Sequence, residues 1–426
     1  MSVVSYWTQA AAARRPDRVA LETHERTLTY AELLDAALAG VGNLDGATRV
    51  AIALPPGADF VIALHACLLA GAAAVPIDLR LSESEQTQRL AGADVVVEAP
   101  LAASPAVWPA RSDPGGVAGR PVAVMHTSGT TAGPKPVVLS HGNFLASALG
   151  SAVALGLDPA ERWLCPMPLT HVGGLSIAVR SAIYATTAVV HGRFDTEAVL
   201  SELMDPRRRI TLVSLVPTML ARLLDAGLER PPTLRWALLG GGPIAPALVA
   251  RAEAAGVPVA PTYGMTEACS QIATFGWALA GVDLRVADDD EVLVQGPIVA
   301  AVAVADDGWL HTGDLGRFDE RGRIVISGRK ADTIVTGGEN VAPAEVEAAL
   351  LEHPAVADAA VHPRAHPEWG EAVVATVVLR DGGVATPEEL RAHCAARVAG
   401  FKVPKVVEFA DVLPRTASGK LLRRQL

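Results

Sequence analysis

Over its first 330 residues the chain alternates short apolar runs with helical stretches, and that alternation limits the folds open to it. Residues 50–54, 72–77, 122–126, 188–191, 211–215 and 236–239 read as strands. Each is short and apolar on both faces, so helices must cover it from both sides. This is the pattern of parallel sheets with helical crossovers, an α/β class of stacked sheets and helices. The pattern changes between residues 284 and 328. There, short strands are separated by the turn sequences Asp306-Asp307-Gly308 and Asp319-Glu320-Arg321-Gly322, which predicts some antiparallel β.

A smaller unit is expected after residue 330. Pro343 opens a helix with Val346, Ala349 and Leu350 on its apolar face and Glu345 at its positive end. Residues 373–379 read as a strand, 387–399 as a helix and 406–409 as a strand. The expectation is a large N-terminal domain over 1–330 and a small α+β C-terminal domain over 331–426.

Residues 60–77 are almost wholly apolar and reach the length of about 18 residues at which a membrane span is considered. His65, Gly71 and Pro76 interrupt them. The segment reads better as a buried helix over 58–70, stopped by Gly71, followed by a buried strand over 72–77. At the N-terminus, Arg14 and Arg15 follow the mildly apolar stretch instead of preceding it, which is not the order of a signal peptide. No membrane partner is expected. The net charge of −10, from 36 Lys and Arg against 46 Asp and Glu, speaks against a general nucleic-acid binder. Cys67, Cys165, Cys269 and Cys394 lie far apart without a C-x-x-C pair, which suggests neither a zinc site nor a disulfide framework. A cytoplasmic setting is expected, and a homo-oligomer is left open.

The strongest local signal is His126-Thr-Ser-Gly-Thr-Thr-Ala-Gly-Pro-Lys135, directly after an apolar run. The hydroxyls of Thr127, Ser128, Thr130 and Thr131, the glycines Gly129 and Gly133, and the ammonium of Lys135 make a loop suited to a polyphosphate. It is not a kinase-type P-loop. The two glycines are too close, Pro134 precedes the lysine, and Pro136 stands where Ser or Thr must bind magnesium. The bland alternative is a surface turn rich in Ser, Thr and Gly.

At this loop the chain resembles the adenylate-forming superfamily of acyl-CoA synthetases, luciferases and peptide-synthetase adenylation domains. The resemblance recurs in order along the chain. It runs through Leu28-Thr-Tyr-Ala-Glu-Leu33, Gly71-Ala-Ala-Ala-Val-Pro-Ile77, Tyr263-Gly-Met-Thr-Glu267, Trp309-Leu-His-Thr-Gly-Asp314, Gly328-Arg-Lys-Ala-Asp332, Gly337-Gly-Glu-Asn340 and Pro414-Arg-Thr-Ala-Ser-Gly-Lys420.

This resemblance implies an acid–thiol ligase with ATP, Mg2+ and CoA as cofactors and a small-molecule carboxylic acid as substrate. ATP converts the acid to a mixed anhydride with AMP, and the CoA thiol then displaces AMP. Residues 127–135 would cradle the polyphosphate, with Glu267 as the magnesium ligand and Thr266 near the phosphate. Tyr263 would stack on adenine within the nucleotide motif that includes Gly264 and Met265. The turn Gly240-Gly241-Gly242 would admit the ligand close to the backbone, Asp314 would take the ribose hydroxyls, and Arg329 would lie near them. His171 would line the acyl pocket, and Gly338 would stand near the thiol tunnel. Lys420 would bridge the substrate carboxylate and the ATP phosphate. It would be carried there by a mobile small domain that pivots at position 331.

Four stretches narrow the resemblance to compact acid–CoA ligases: 163–169, 171–176 with 180–184, 238–243 and 263–271. Arg180 is the one charge in 175–184. It reads as a structural hydrogen-bond donor or as a partner for the second carboxylate of a dicarboxylic substrate. Other readings are a different acyl- or aryl-CoA ligase, a stand-alone adenylation enzyme, and a non-catalytic nucleotide-binding member. The chain departs from the family pattern at Ala132, Pro136, Ala331 and the short 274–283 connection. The expectation is an active enzyme with slower loop closure.

Overall fold

The structure is a computed structural model that describes residues 7–44, 46–104, 117–127, 135–415 and 421–426. Its sheets follow the alternation in the sequence. One has five strands in the order Val95–Val97, Arg49–Ile52, Ala73–Pro76, Pro121–Thr127 and Lys135–Ser140. It is parallel except for the last pair. A second sheet has nine strands, parallel through Val259–Met265, Trp236–Leu239, Leu212–Leu215, Arg162–Cys165, Thr187–Val190 and Val19–Glu22. Antiparallel partners finish both edges: Thr27–Thr29 on one side, Ser270–Thr274 and Trp277–Ala278 on the other.

The apolar stretch over 60–77 is a core helix and a core strand. The helix Ala58–Ala70 is buried on nearly every face, and Gly71 ends it in the left-handed region, donating to the carbonyls of Cys67 and Leu68. Phe60 and Leu64 are fully buried there, each contributing about 2 kcal/mol from removal of apolar surface. No helix among the described residues is long and apolar enough to cross a membrane.

The expected antiparallel portion is a four-stranded sheet of Asp283–Val286, Glu291–Gln295, Leu310–Phe318 and Ile324–Arg329. The short 274–283 connection that leads into it contains a hairpin. Phe275 and Gly276 turn at φ 56° and 81°, the primed geometry that matches strand twist. The ring of Phe275 packs edge-on against Trp236, 5.0 Å between centroids.

After residue 333, the strands Ile334–Thr336, Glu339–Val341, Val356–His366, Gly370–Leu379 and Val406–Phe409 form one further sheet. Val346, Ala349 and Leu350 of the helix Pro343–Leu351 are buried against it, in a core cluster drawn only from residues 334–407. The helix Pro387–Ala395 is shorter than the expected 387–399. The chain leaves it at Ala396, so that Val398 and Val403 can pack on that cluster. The strand Val356–His366 went unrecognised in the sequence.

Candidate active site

Strand Val259–Met265 carries Tyr263, Gly264 and Met265 to its end, where Thr266 and Glu267 enter a single 3-10 turn, Thr266–Ala268. Cys269 at φ 50° and Ser270 at φ 91° then reverse the chain into Ser270–Thr274. The reversal is so close that a Cβ on Gly264 would lie 1.7 Å from the carbonyl oxygen of Ser270. Only glycine fits there. The turn is braced from inside the protein. Ser147 Oγ donates to the Cys269 carbonyl at 2.7 Å, and Arg180 donates to Ser147 Oγ and to Gln271 Oε1, each at 2.7 Å. Arg180 is 2% exposed, so the structure gives it the hydrogen-bonding role.

Tyr263 and Arg329 meet on Asp314. The Tyr263 hydroxyl donates to Asp314 Oδ2 at 2.8 Å, and Arg329 Nε lies 2.8 Å from Oδ1. Asp314 and Arg329 are direct partners across two antiparallel strands, which is why they pair. Asp314 is 5% exposed. Burial, and then the negative charge of Asp314, push the Tyr263 phenol well above its ordinary pKa.

Beside these residues lies a polar cleft of about 350 Å³. It gathers Lys135, Met265 with Glu267, and Arg329 from three separate segments, with His311 and Thr312 on its wall. Glu267 is half-buried there. No group of three or more His, Cys, Asp or Glu side chains among the described residues could hold a metal ion. A single carboxylate among cations suits magnesium, which takes few protein carboxylates and completes its shell with phosphate oxygens and water.

The remaining expected residues are distributed around this centre. Thr127 and Lys135 pair across the antiparallel ladder and bound the segment expected to take the polyphosphate. Ser128, Gly129, Thr130, Thr131 and Gly133 lie outside the described residues, as does Lys420. The turn Gly240-Gly241-Gly242 follows Trp236–Leu239, and Gly241 has φ 78°. His171 precedes the helix Val172–Tyr184. Its ring still meets solvent, yet loss of water around it lowers its pKa, and Asp78 only partly offsets this. Gly338 sits in the turn between Ile334–Thr336 and Glu339–Val341, apart from the residues that line the cleft.

Three residues of this region were not singled out from the sequence. His311 Nε2 lies 3.0 Å from Asp307 Oδ2, and that hydrogen bond raises its pKa. Glu291 is 8% exposed and accepts from the Gly313 N–H at 2.9 Å. Lys330 Nζ lies 3.3 Å from Glu291 and 2.6 Å from Asp289. Burial alone would raise the Glu291 pKa, but the Gly313 N–H, Lys330 and His311 together hold it below the ordinary value. His311 lay within a quoted motif. Glu291 carried only the weak signal of one acid opening an apolar strand.

The chain matches the models of the AMP-binding enzyme family over residues 8–103 and 99–335, and of the AMP-binding enzyme C-terminal domain over 345–420. It is 35% identical to a 2-succinylbenzoate–CoA ligase of Bacillus cereus, across 100% of this chain and 98% of that protein. It is similar to the o-succinylbenzoate CoA synthetase of Bacillus subtilis in complex with the acyl-adenylate intermediate OSB-AMP, at 34% identity and a TM-score of 0.89, covering 99% of this chain and 97% of the other. The same Bacillus subtilis protein in complex with ATP and a magnesium ion gives 34% identity and a TM-score of 0.88, covering 99% of each chain.

Proposed function

The chain belongs to the AMP-binding enzyme family, and on that premise we propose that it joins o-succinylbenzoate to CoA through an acyl-adenylate, as in menaquinone biosynthesis. It is an AMP-forming acid–thiol ligase that uses ATP, magnesium and CoA. The observation that carries the substrate is the full-length similarity to 2-succinylbenzoate–CoA ligases. The cleft chemistry supports the reaction.

In the first step a carboxylate oxygen of the acid attacks the α-phosphorus of ATP. A P–O bond forms, the bond to pyrophosphate breaks, and the electron pair leaves with pyrophosphate. Two anions must approach, so positive charge has to be in place beforehand. Lys135 and residues 127–134 would take the polyphosphate. Bound magnesium offsets phosphate charge, and Glu267 would hold it, with Thr266 beside the phosphate. Tyr263 and the glycine turn would flank the adenine, while Asp314, braced by Arg329, would accept the ribose hydroxyls. Lys420 would bridge the carboxylate and the α-phosphate. His171, whose charged form is disfavoured by loss of water around it, would line the acyl pocket.

In the second step the CoA sulfur attacks the acyl carbon. A C–S bond forms, the C–O bond to AMP breaks, and the thiol proton passes to solvent. Gly338 would stand near the thiol path once the domain over 331–426 has turned against that over 1–330. We read the chain as cytoplasmic, with small-molecule partners and neither nucleic acid nor membrane among them.

The test is pyrophosphate release from ATP and magnesium with o-succinylbenzoate, followed by thioester formation across a panel of aryl and aliphatic acids. Acid-dependent release that is highest with o-succinylbenzoate is expected. Release that favours another acid would overturn the substrate, and none with any acid would overturn the ligase.

A further inference from the structure

Glu291 is a buried carboxylate whose donors come from two different segments. Gly313 N–H, at 2.9 Å, and His311 Nδ1, at 3.5 Å, belong to the strand that carries Asp314 and lines the cleft. Lys330 Nζ, at 3.3 Å, belongs to the turn Lys330–Asp332, which surrounds Ala331. Lys330 also reaches Asp289 at 2.6 Å. Asp289 lies in the turn between the first two strands of the four-stranded antiparallel sheet, and Glu291 opens the second.

On the other side of Ala331 the partners change. Asp332 pairs with Arg423 at 3.2 Å, and Arg423 also grips Glu347 at 2.7 Å, on the helix Pro343–Leu351. One neighbour of Ala331 is therefore tied toward the cleft, and the other toward the C-terminal sheet. Ala331 has no side chain that could be tied to either. Lys330 and Asp332 thus anchor the chain on either side of Ala331.

We propose that Glu291 is a positioning residue that ties the nucleotide cleft to the pivot of the C-terminal unit, acting through Lys330. This rests on the ligase reading above, in which the two half-reactions use two orientations about position 331. When Lys330 stays on Glu291 and Asp289, the turn before the pivot is fixed to the sheet that presents Asp314. When Lys330 lets go, Glu291 has only Gly313 and His311 to compensate its charge, and both belong to the cleft wall. Buried charge makes that exchange matter more than a surface pair of the same length.

The experiment measures the half-reactions separately in wild type, Lys330→Met and Glu291→Gln. Adenylation is read as acid-dependent ATP–pyrophosphate exchange, and thioester formation is read from preformed acyl-adenylate and CoA. Lys330 is half-exposed, so its variant is expected to fold. The expected result is a shift in the ratio of the two rates of about 3-fold for Lys330→Met, and about 10-fold for Glu291→Gln. A purely structural role would lower the melting temperature and leave that ratio alone. A ratio unchanged in both variants overturns the proposal, as does one moved by Glu291→Gln but not by Lys330→Met. Wild type inactive in both half-reactions would instead sink the ligase reading.

Discussion

The hydroxyl of Tyr263 donates to Asp314 Oδ2 across 2.8 Å, joining the end of a parallel-sheet strand to an antiparallel sheet 51 residues on. Asp314 is thereby oriented in advance for the ribose we propose it accepts. Tyr263→Phe keeps the ring and removes only this bond. We expect KM for ATP to rise about 5-fold, on the order of 1 kcal/mol, with kcat little changed. Pyrophosphate release measured against ATP concentration checks it, and an unaltered KM would count against the arrangement.

Among the described residues, Glu267 is the one carboxylate lining the cleft. Glu267→Gln keeps its shape and removes its charge. Adenylation is expected to fall by roughly 10²–10³, with the magnesium concentration for half-maximal rate moved upward. If the magnesium dependence is unchanged, Glu267 is not the ligand.

Lys420 is expected to supply one preorganised positive charge in adenylation. Lys420→Ala should reduce acid-dependent pyrophosphate release by roughly 10²–10³. Thioester formation from preformed acyl-adenylate should be less affected. Adenylation at the wild-type rate in this variant would remove the lysine from the mechanism.

Gly264→Ala tests the reversal behind Glu267. The new methyl would start 1.7 Å from a backbone oxygen, so strand or turn must move. A loss of about 2–3 kcal/mol in stability is expected, with ATP binding weakened in whatever remains folded. A wild-type melting temperature would show that the two chain segments separate easily.

His65 is fully buried with Nδ1 2.7 Å from Thr8 Oγ1, and burial pulls its pKa down to about 4 from an ordinary 6.5. The unfolded chain therefore takes up this proton near pH 6.5, while the folded chain resists until about pH 4. Below pH 6.5 the unfolded state binds more protons, so stability falls with pH through that window. The contribution lost is on the order of 3 kcal/mol. Urea unfolding at pH 7 and pH 4.5 should show a smaller drop in His65→Leu than in wild type. Equal drops would assign the acid sensitivity elsewhere.

Much of this was visible in residue order, for physical reasons that can be named. Trp236–Leu239 and the helix Ala58–Ala70 have the bounds their apolar pattern implied, and Gly71 stops that helix as its missing Cβ allows. Burial dominates in those segments, and burial is written in composition. The strand Val356–His366 was missed because its outer half, His-Pro-Arg-Ala-His, reads as a polar loop. It is held by pairing with Gly370–Leu379, an interaction that no local pattern encodes. The same limit applies to the site. Glu267, Asp314 and Arg329 could be named from motifs, but the pairing of Asp314 with Arg329 depends on strand register. Glu291 was overlooked because its importance lies in three donors that fold onto it.

Thr127 and Lys135 stand opposite each other as partners in one ladder. Whatever path the intervening chain takes, it departs from and returns to a single rung. The sheet has already met the cost of closing that loop, and closure entropy grows only slowly with length. Insertions or deletions between these two residues should therefore alter how far the intervening amides reach, while the footing of Thr127 and Lys135 on the sheet stays where it is. In evolution or design, loop length becomes an adjustable dimension of the site, decoupled from the fold that bears it.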